Sequence, residues 1–314
     1  MNVNKNAIYC EHIYKSYRNN DVLKDLNMSV PYGSIYGFIG ENGAGKTSTL
    51  KLFTGLSTPS SGKLSVLDSE TIADFKKKRT QIGSLIESPL LYPNMTAFQN
   101  LKICCIQRDQ PINQITELLR LVGLSPTLKT HVKHYSLGMR QRLGIAIALL
   151  GNPQIVILDE PMNGLDPTGM SELRQLITLL NKEKEMTFII SSHLLNELFQ
   201  LSNNFGFIYD GYIVKEITKK TLSCSLKNGL YVRFDIDSND AIEKLNALLK
   251  SNFTSPPSVK ALSNTEILID INEYSVNVLN KLVYQNLGSC IQDTRIETEN
   301  FEDYYLNLIS SFKN

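Results

Sequence analysis

Short apolar runs alternate with segments of helical spacing from the start of the chain to about residue 220. Residues 155–158 are apolar without interruption, which is typical of a central parallel strand covered on both faces. Residues 34–39 and 187–190 are similar short runs, and residues 96–150 and 168–184 have helical spacing. Strands that alternate with helices predict an α/β fold built on a parallel sheet.

The N-terminal segment favours antiparallel β-structure. Residues 7–10 and 22–30 partly alternate between apolar and polar side chains, with a polar turn at residues 18–21. Two further strands, 63–67 and 81–86, flank the basic run 76–79. Because this run lacks interleaved aromatic residues, we interpret it as a solvated helix face and not as a nucleic-acid patch.

The pattern changes near residue 222, which predicts two domains, 1–222 and 223–314. The second has a β-α-β-β-α-β order that resembles the ferredoxin-like arrangement, so we expect a small α+β domain. Its predicted elements are strand 230–236, helix 239–250, a short strand after Pro256-Pro257, strand 266–271, helix 274–287, strand 290–297 and a closing helix at about 300–312.

Composition excludes several classes of protein. A net charge of +1 over 314 residues gives no basic surface for nucleic acid, so no nucleic-acid partner is expected. No run approaches the ~18 apolar residues that a membrane-spanning helix needs, and the polar start lacks a signal core. Five cysteines without a C-x-x-C pair indicate reduced thiols in a cytosolic protein, and the histidines are not spaced for metal ligation with them.

A glycine-rich loop with a lysine follows the strand predicted at 34–39. It fits the pattern G-x-x-x-x-G-K-[ST], and its residues are Gly40, Glu41, Asn42, Gly43, Ala44, Gly45, Lys46 and Thr47. A strand before it and a helix from Ser48 onward favour a phosphate-binding loop over a glycine turn with a solvated lysine. Backbone N–H groups and the helix N-terminus attract phosphate, Lys46 neutralises the β- and γ-phosphates, and the Thr47 hydroxyl ligates Mg²⁺. The loop predicts binding of a nucleoside triphosphate.

Two acids follow the apolar run 155–158. Asp159 is suited to hold the water shell of Mg²⁺, and Glu160 to act as general base or to position the attacking water. The alternative is a pair of solvated acids that cap the next segment, which the upstream P-loop disfavours. His193 follows the next apolar strand. Its imidazole could bind a γ-phosphate oxygen and steady the water beside Glu160, although a lone histidine there is more often structural.

Two weaker signals accompany the acids. Ser136 stands where a helix begins, and Gly138 leaves room for close approach of backbone to an anion. Residues 163–167 form a tight turn that contains Asp166. An N-cap serine and a tight turn are common in proteins. Each indicates a functional role only because it follows the P-loop in a fixed order along the chain.

In this order, the motifs make residues 7 to about 216 resemble the nucleotide-binding domain of the ATP-binding cassette (ABC) family. Residues 135–139 match its signature, 163–166 its D-loop and His193 its switch histidine. The resemblance implies a P-loop NTPase of ABC type, with a RecA-like core, an antiparallel β subdomain and a helical subdomain. It also implies ATP and Mg²⁺ as cofactors and ATP hydrolysis coupled to transport. The residues it implies for ATP binding are Tyr17 (stacked on adenine unless it is a core or surface tyrosine), Asn42, Gly43, Ala44, Gly45, Lys46, Thr47, Ser48, Ser136, Gly138 and Asp166.

The resemblance also implies partners. In the family two cassettes meet head-to-tail, and each ATP is held by one P-loop and by the signature of the other copy. One cassette in this chain therefore implies a homodimer in which Ser136 and Gly138 act in trans. Separately encoded membrane permease subunits are implied as well, with this chain peripheral on the inner face of the cell membrane.

Two positions depart from the family pattern. A glutamine that touches Mg²⁺ and the attacking water is replaced by Glu87, whose carboxylate can still accept from water and face Mg²⁺ but adds a charge. The signature reads Ser-Leu-Gly-Met, where the commoner form has two glycines and a glutamine. The glutamate resembles the ATPase subunits of lantibiotic-immunity exporters. Three other features also fit exporters of peptide antibiotics and drugs: the sequence of the signature segment, the appended C-terminal domain and the closing segment 301–306.

Three alternatives remain at this point. The exporter could carry another drug, a lipid or a small molecule. A soluble ABC factor acting on the ribosome or on DNA usually has paired cassettes or a long insertion, and this sequence has neither. A P-loop GTPase or kinase is disfavoured because residues 181–184 lack the base-reading aspartate of GTPases.

Overall fold

The structure is a computed structural model of the chain. It describes residues 6–18, 20–69, 71–124, 129–226, 228–234, 239–253, 256–263, 265–270, 276–287, 291–298 and 300–313. Contacts divide the chain into two compact units, Met1–Lys219 and Lys220–Asn314. The boundary expected at 222/223 falls within helix α8 (Lys219–Ser225), which spans this division.

The first unit contains a mixed sheet of six strands and an antiparallel sheet of three. Their strands are β1 (Asn6–Tyr17), β2 (Asn20–Pro31), β3 (Ile35–Ile39), β4 (Ser61–Val66), β5 (Ile82–Leu85), β6 (Ile155–Asp159), β7 (Thr187–Ser192), β8 (Asn204–Tyr209) and β9 (Tyr212–Thr218). The large sheet has the order β5-β6-β7-β3-β8-β9, and only β9 runs antiparallel to its neighbour. The smaller sheet has the order β2-β1-β4. The predicted α/β sheet and the predicted N-terminal β-structure are both confirmed.

Burial explains why the apolar runs became strands of the large sheet. Every residue of β3, β6 and β7 is buried, and β6 pairs in parallel with a strand on each side. A strand in this position needs apolar side chains on both faces, because neither face meets water. The prediction of a central parallel strand at 155–158 is therefore confirmed.

In the part of the first unit that the structure describes, seven α-helices accompany these sheets. They are α1 (Lys46–Phe53), α2 (Ile72–Lys78), α3 (Ala97–Gln107), α4 (Ile115–Leu121), α5 (Leu137–Ala148), α6 (Pro167–Lys184) and α7 (Leu195–Leu201). Side-chain caps begin four of them: Thr71 for α2, Thr96 for α3, Ser136 for α5 and Asp166 for α6 each accept a backbone N–H from the first turn. No residue of α2 is buried, which confirms that the basic run forms a solvated helix face.

Helix α5 lies directly against β5 because two glycines allow close approach. A Cβ on Gly83 would lie 1.9 Å from the carbonyl oxygen of Ala148 at the end of α5. A Cβ on Gly144 would lie 2.9 Å from the Leu85 side chain. The second half of α5 therefore packs closely on β5.

The second unit has a four-stranded antiparallel sheet in the order β11-β12-β10-β13. Its elements are β10 (Asn228–Phe234), α9 (Asn239–Asn252), β11 (Val259–Ser263), β12 (Glu266–Asp270), α10 (Val276–Leu287), β13 (Ile291–Thr298) and α11 (Phe301–Lys313). If β10 to β13 are numbered 1 to 4 along the chain, their spatial order across the sheet is 4-1-3-2, which is the order of a ferredoxin-like sheet. The predicted α+β arrangement is therefore confirmed. The ends predicted at 235–236, 271, 274 and 290 lie outside the described residues.

The core of the second unit forms between the sheet and its helices. Leu230 and Val232 of β10 pack with Leu245 of α9 and Leu279 of α10, and all four are fully buried. Within the described ranges, no helix combines the length and the apolar character that crossing a bilayer requires. Cys10, Cys104 and Cys105 are free thiols, whereas Cys290 and the side chain of Cys224 lie outside the description.

Candidate ATP-hydrolysing site

The parallel register brings the predicted site residues to one edge of the large sheet. Asp159 at the end of β6 is paired with Ser191 in β7, and Ser192 is paired with Ile39 at the end of β3. The P-loop follows Ile39 directly. Because the carboxyl ends of these strands coincide, the acids, the P-loop and the segment with His193 converge, although they are far apart in sequence.

The P-loop wraps around the Lys46 side chain. The Lys46 ammonium donates to the carbonyl oxygen of Gly40 at 2.6 Å and to that of Glu41 at 3.1 Å. Gly45 has a φ of 108°, a left-handed conformation that favours glycine directly before α1. Burial lowers the pKa of Lys46, and the charges of Glu160 and Asp159 partly offset this effect. A charge held in this half-desolvated loop interacts strongly with an incoming phosphate.

Thr47 and Asp159 form the candidate metal site. The Thr47 hydroxyl donates to Asp159 Oδ2 at 2.8 Å, and the Ser191 hydroxyl donates to Asp159 Oδ1 at 2.5 Å. Asp159 is buried. A hydroxyl and a carboxylate are hard oxygen donors that fit Mg²⁺, which keeps several water and phosphate ligands and needs few protein groups. The residues present therefore fit the predicted metal.

Glu160 and His193 are in direct contact. His193 Nδ1 lies 2.9 Å from Glu160 Oε2, and the backbone N–H of His193 donates to the same oxygen at 3.3 Å. The backbone N–H of Glu160 donates in turn to Ser191 Oγ at 3.0 Å. Glu160 has a φ of 50°, an uncommon conformation for a residue with a side chain. These contacts hold the Glu160 carboxylate in one orientation beside the candidate metal site, an arrangement that suits the predicted role of general base.

A cavity of about 510 Å³ opens over these residues. Nine of the predicted site residues line it: Asn42, Gly43, Gly45, Lys46, Thr47, Ser48, Glu87, Asp159 and Glu160. Six residues outside the predicted ATP-binding, catalytic and metal sets also line it: Val22, Glu41, Ser88, Leu137, Gln141 and Asn163. Three of them belong to predicted motifs, Glu41 to the P-loop, Leu137 to the signature and Asn163 to the D-loop. Leu137 and Gln141 lie one helical turn apart at the start of α5. From this spacing alone, both side chains could have been predicted to lie on one face of the helix.

Six other predicted residues do not line the cavity. Ala44 is buried, and its carbonyl accepts from the backbone N–H of Gly211. Tyr17 is 43% exposed, with Lys15 Nζ 4.8 Å from its ring centroid. Ser136 and Asp166 cap α5 and α6 and are exposed. The remaining two are Gly138 and His193.

Glu87 reaches the cavity from the end of β5, but its carboxylate is paired. Glu87 Oε1 accepts a hydrogen bond from Lys51 Nζ at 2.7 Å. Glu87 was predicted to face the metal, and Lys51 was not among the predicted site residues. Charge alone gave no signal for this pair, because the two residues are 36 positions apart.

Comparison with known proteins agrees with this geometry. Residues 23–163 match the family described as ABC transporter. The bacitracin transport ATP-binding protein BcrA of Bacillus licheniformis is 37% identical over 315 aligned residues, covering 94% of each chain. The lantibiotic transport ATP-binding protein SrtF of Streptococcus pyogenes is 44% identical over 207 residues, covering 66% of this chain and 88% of that protein. A solved ATP-binding subunit of an ABC transporter superposes with a TM-score of 0.62 at 27% identity, covering 68% of this chain and 90% of that one.

These similarities confirm the predicted family, the fold and the ATPase activity. They extend beyond the cassette, because the bacitracin transport relative also aligns with the second unit. Proteins of this family bind ATP, typically with Mg²⁺, and work as dimers with separate membrane subunits. The chain belongs to the ABC transporter ATP-binding family, and it is an ATPase.

Proposed function

We propose that this chain is the ATP-hydrolysing subunit of a bacterial exporter that removes a peptide antibiotic from the cell and thereby confers immunity. The observation that carries the proposal is the alignment, over 94% of each chain, with a relative named for bacitracin transport. The similarity to a lantibiotic transport protein supports the same chemical class of cargo, a membrane-active or wall-active peptide. Glu87 in place of the family glutamine supports it further.

One chain contributes the P-loop, the metal-binding residues and the general base of the proposed hydrolysis site. Lys46 and the P-loop N–H groups bind the β- and γ-phosphates, and Thr47 and Asp159 hold Mg²⁺. The metal, when bound, neutralises charge on the phosphates. Glu160 accepts the proton of the attacking water, and His193 keeps the Glu160 carboxylate aimed at that water. Ser191 fixes Asp159 and Glu160 together through its hydroxyl.

The site is completed by a second copy of the chain. Ser136 is exposed at the N-terminus of α5, and neither Ser136 nor Gly138 lines the cavity of its own chain. A helix N-terminus favours an anion, so these residues can contact the γ-phosphate held by the partner copy. Formation of the dimer around ATP then moves permease subunits in the membrane, with this chain bound to their inner face.

Resistance of cells tests the proposal. Glu160→Gln keeps the size of the side chain but removes the base, so we expect ATP binding to persist while turnover and peptide resistance are lost. Cells that carry the transporter genes are challenged separately with bacitracin and with a lantibiotic. Glu183→Gln on α6 is the matched control, because Glu183 is exposed and lies outside the cavity. Full resistance in the Glu160→Gln strain, at an equal protein level, would refute the proposal.

A further inference from the structure

The ion pair between Lys51 and Glu87 connects two parts of the nucleotide site. Lys51 lies on α1, five residues beyond Lys46, and Glu87 follows β5. Their charged atoms are 2.7 Å apart, with 34% of the Lys51 side chain and 62% of the Glu87 side chain exposed. Glu87 has a φ of 61°, so its backbone takes an uncommon left-handed turn at the point where the side chain meets Lys51.

The register of the sheet places Glu87 at the same edge as the two catalytic acids. Leu85 of β5 is paired with Leu158 of β6, and each is followed two residues later by a glutamate, Glu87 or Glu160. Both glutamates line the same cavity together with Asp159. Because Glu41 of the P-loop lines it as well, the cavity holds four acidic side chains at the position where a triphosphate must bind.

Lysines oppose this accumulation of negative charge. Lys46 is held by carbonyl oxygens of the P-loop, so its ammonium remains directed into the loop. Lys51 is the cation that contacts Glu87, and the hydrogen bond to Glu87 raises the pKa of Lys51, although burial partly offsets this effect. A carboxylate without a counter-ion would repel the triphosphate, and a paired one repels it less.

We propose that Lys51 is a positioning residue that fixes the Glu87 carboxylate at the rim of the nucleotide cavity and neutralises it, so that the site accepts Mg²⁺-ATP. The inference rests on the proposed nucleotide site. It assigns to Lys51 a role that depends on the glutamate at position 87, so the two side chains act as a unit. Removing only the lysine leaves an uncompensated negative charge beside the phosphates, whereas removing both charges does not.

A double-mutant cycle tests this dependence. Lys51→Gln, Glu87→Gln and the double variant are compared with wild type by titration with a fluorescent ATP analogue, with Mg²⁺ and again with EDTA. We expect Lys51→Gln to weaken binding about two- to fivefold, as an exposed ion pair allows. In the Glu87→Gln background the same change should have no effect. Lys51→Arg should restore binding, and high salt should shrink the difference between Lys51→Gln and wild type.

Lys24→Gln provides the matched control. Lys24 pairs with Asp210 at 2.8 Å with similar exposure, 31% and 64%, and neither residue lines the cavity. The Lys24→Gln variant should bind the fluorescent ATP analogue as tightly as wild type does. The inference is overturned if Lys51→Gln weakens binding equally with and without Glu87, or if it leaves binding unchanged. A wild-type protein that binds no ATP would instead overturn the proposed function.

Discussion

The contact between His193 and Glu160 gives the sharpest test of how the site is organised. We compare two substitutions, His193→Ala and His193→Asn. Alanine removes both hydrogen-bonding atoms of the imidazole. Asparagine places its amide nitrogen near the position of Nδ1, so it can still donate to Glu160 Oε2, but it has nothing at the position of Nε2. The pair separates orientation of Glu160 from any contact made by Nε2.

The magnitude follows from the geometry. A hydrogen bond to a charged group contributes about 1.5–3 kcal/mol, which corresponds to roughly 10- to 150-fold in rate if the bond is needed at the transition state. The His193 side chain is 51% exposed, so solvent screens the interaction and the lower end applies. The backbone N–H of His193 still reaches Glu160 Oε2 in either variant. We therefore expect His193→Ala to lower kcat about tenfold with little change in KM.

The assay is steady-state phosphate release by the purified protein, with nucleotide binding measured in parallel. His193→Asn should recover most of the loss, because the donor to Glu160 is retained. An unchanged kcat in His193→Ala would refute the reasoning. Equal losses in both variants would also refute it, since they would show that Nε2, and not the bond to Glu160, carries the effect.

Two further predictions concern stability. Gly83→Ala should lower the free energy of unfolding by at least about 1–3 kcal/mol, because its Cβ would overlap the Ala148 carbonyl oxygen at the end of α5. Denaturant titration measures this loss, and a variant as stable as wild type contradicts the close contact. Glu216 accepts from Tyr36, but desolvation raises the pKa of its carboxyl. The folded protein therefore binds this proton more tightly than the unfolded chain, and stability is lost as pH rises from the ordinary glutamate pKa through the raised one. Subtracting the same titration of Glu216→Gln isolates this dependence, and identical pH profiles contradict it.

The predictable parts of the fold are those in which the residues of one short segment are enough to indicate its structure. The run 155–158 has no polar residue, so only a strand buried on both faces suits it, and β6 is that strand. The P-loop has glycines where the backbone takes left-handed conformations, as at Gly43 and Gly45. Both features depend on neighbours in sequence, which is why the sequence was sufficient.

The parts that were not predictable depend on tertiary contacts. The partner of Glu87 is set by how β5 lies beside α1, and no local pattern marks Lys51 as that partner. In the same way, Ser136 and Gly138 were predicted to act toward a second copy, and no local pattern showed that their neighbours Leu137 and Gln141 line the cavity of their own chain. The predicted contact of Tyr17 with adenine stays a prediction, because it depends on a bound nucleotide.

Complementation between two inactive copies tests most directly whether the ATP site is shared. One copy carries Lys46→Ala and the other Gly138→Asp, each with a different tag, and each is inactive alone. In a mixed dimer, the wild-type P-loop of the second copy faces the wild-type signature of the first. Half of the dimers in an equal mixture are mixed, and each has one intact site of two, so ATPase activity should return to about a quarter of the wild-type rate. Hydrolysis by Gly138→Asp alone at the wild-type rate, or no recovery in isolated mixed dimers, would contradict the account.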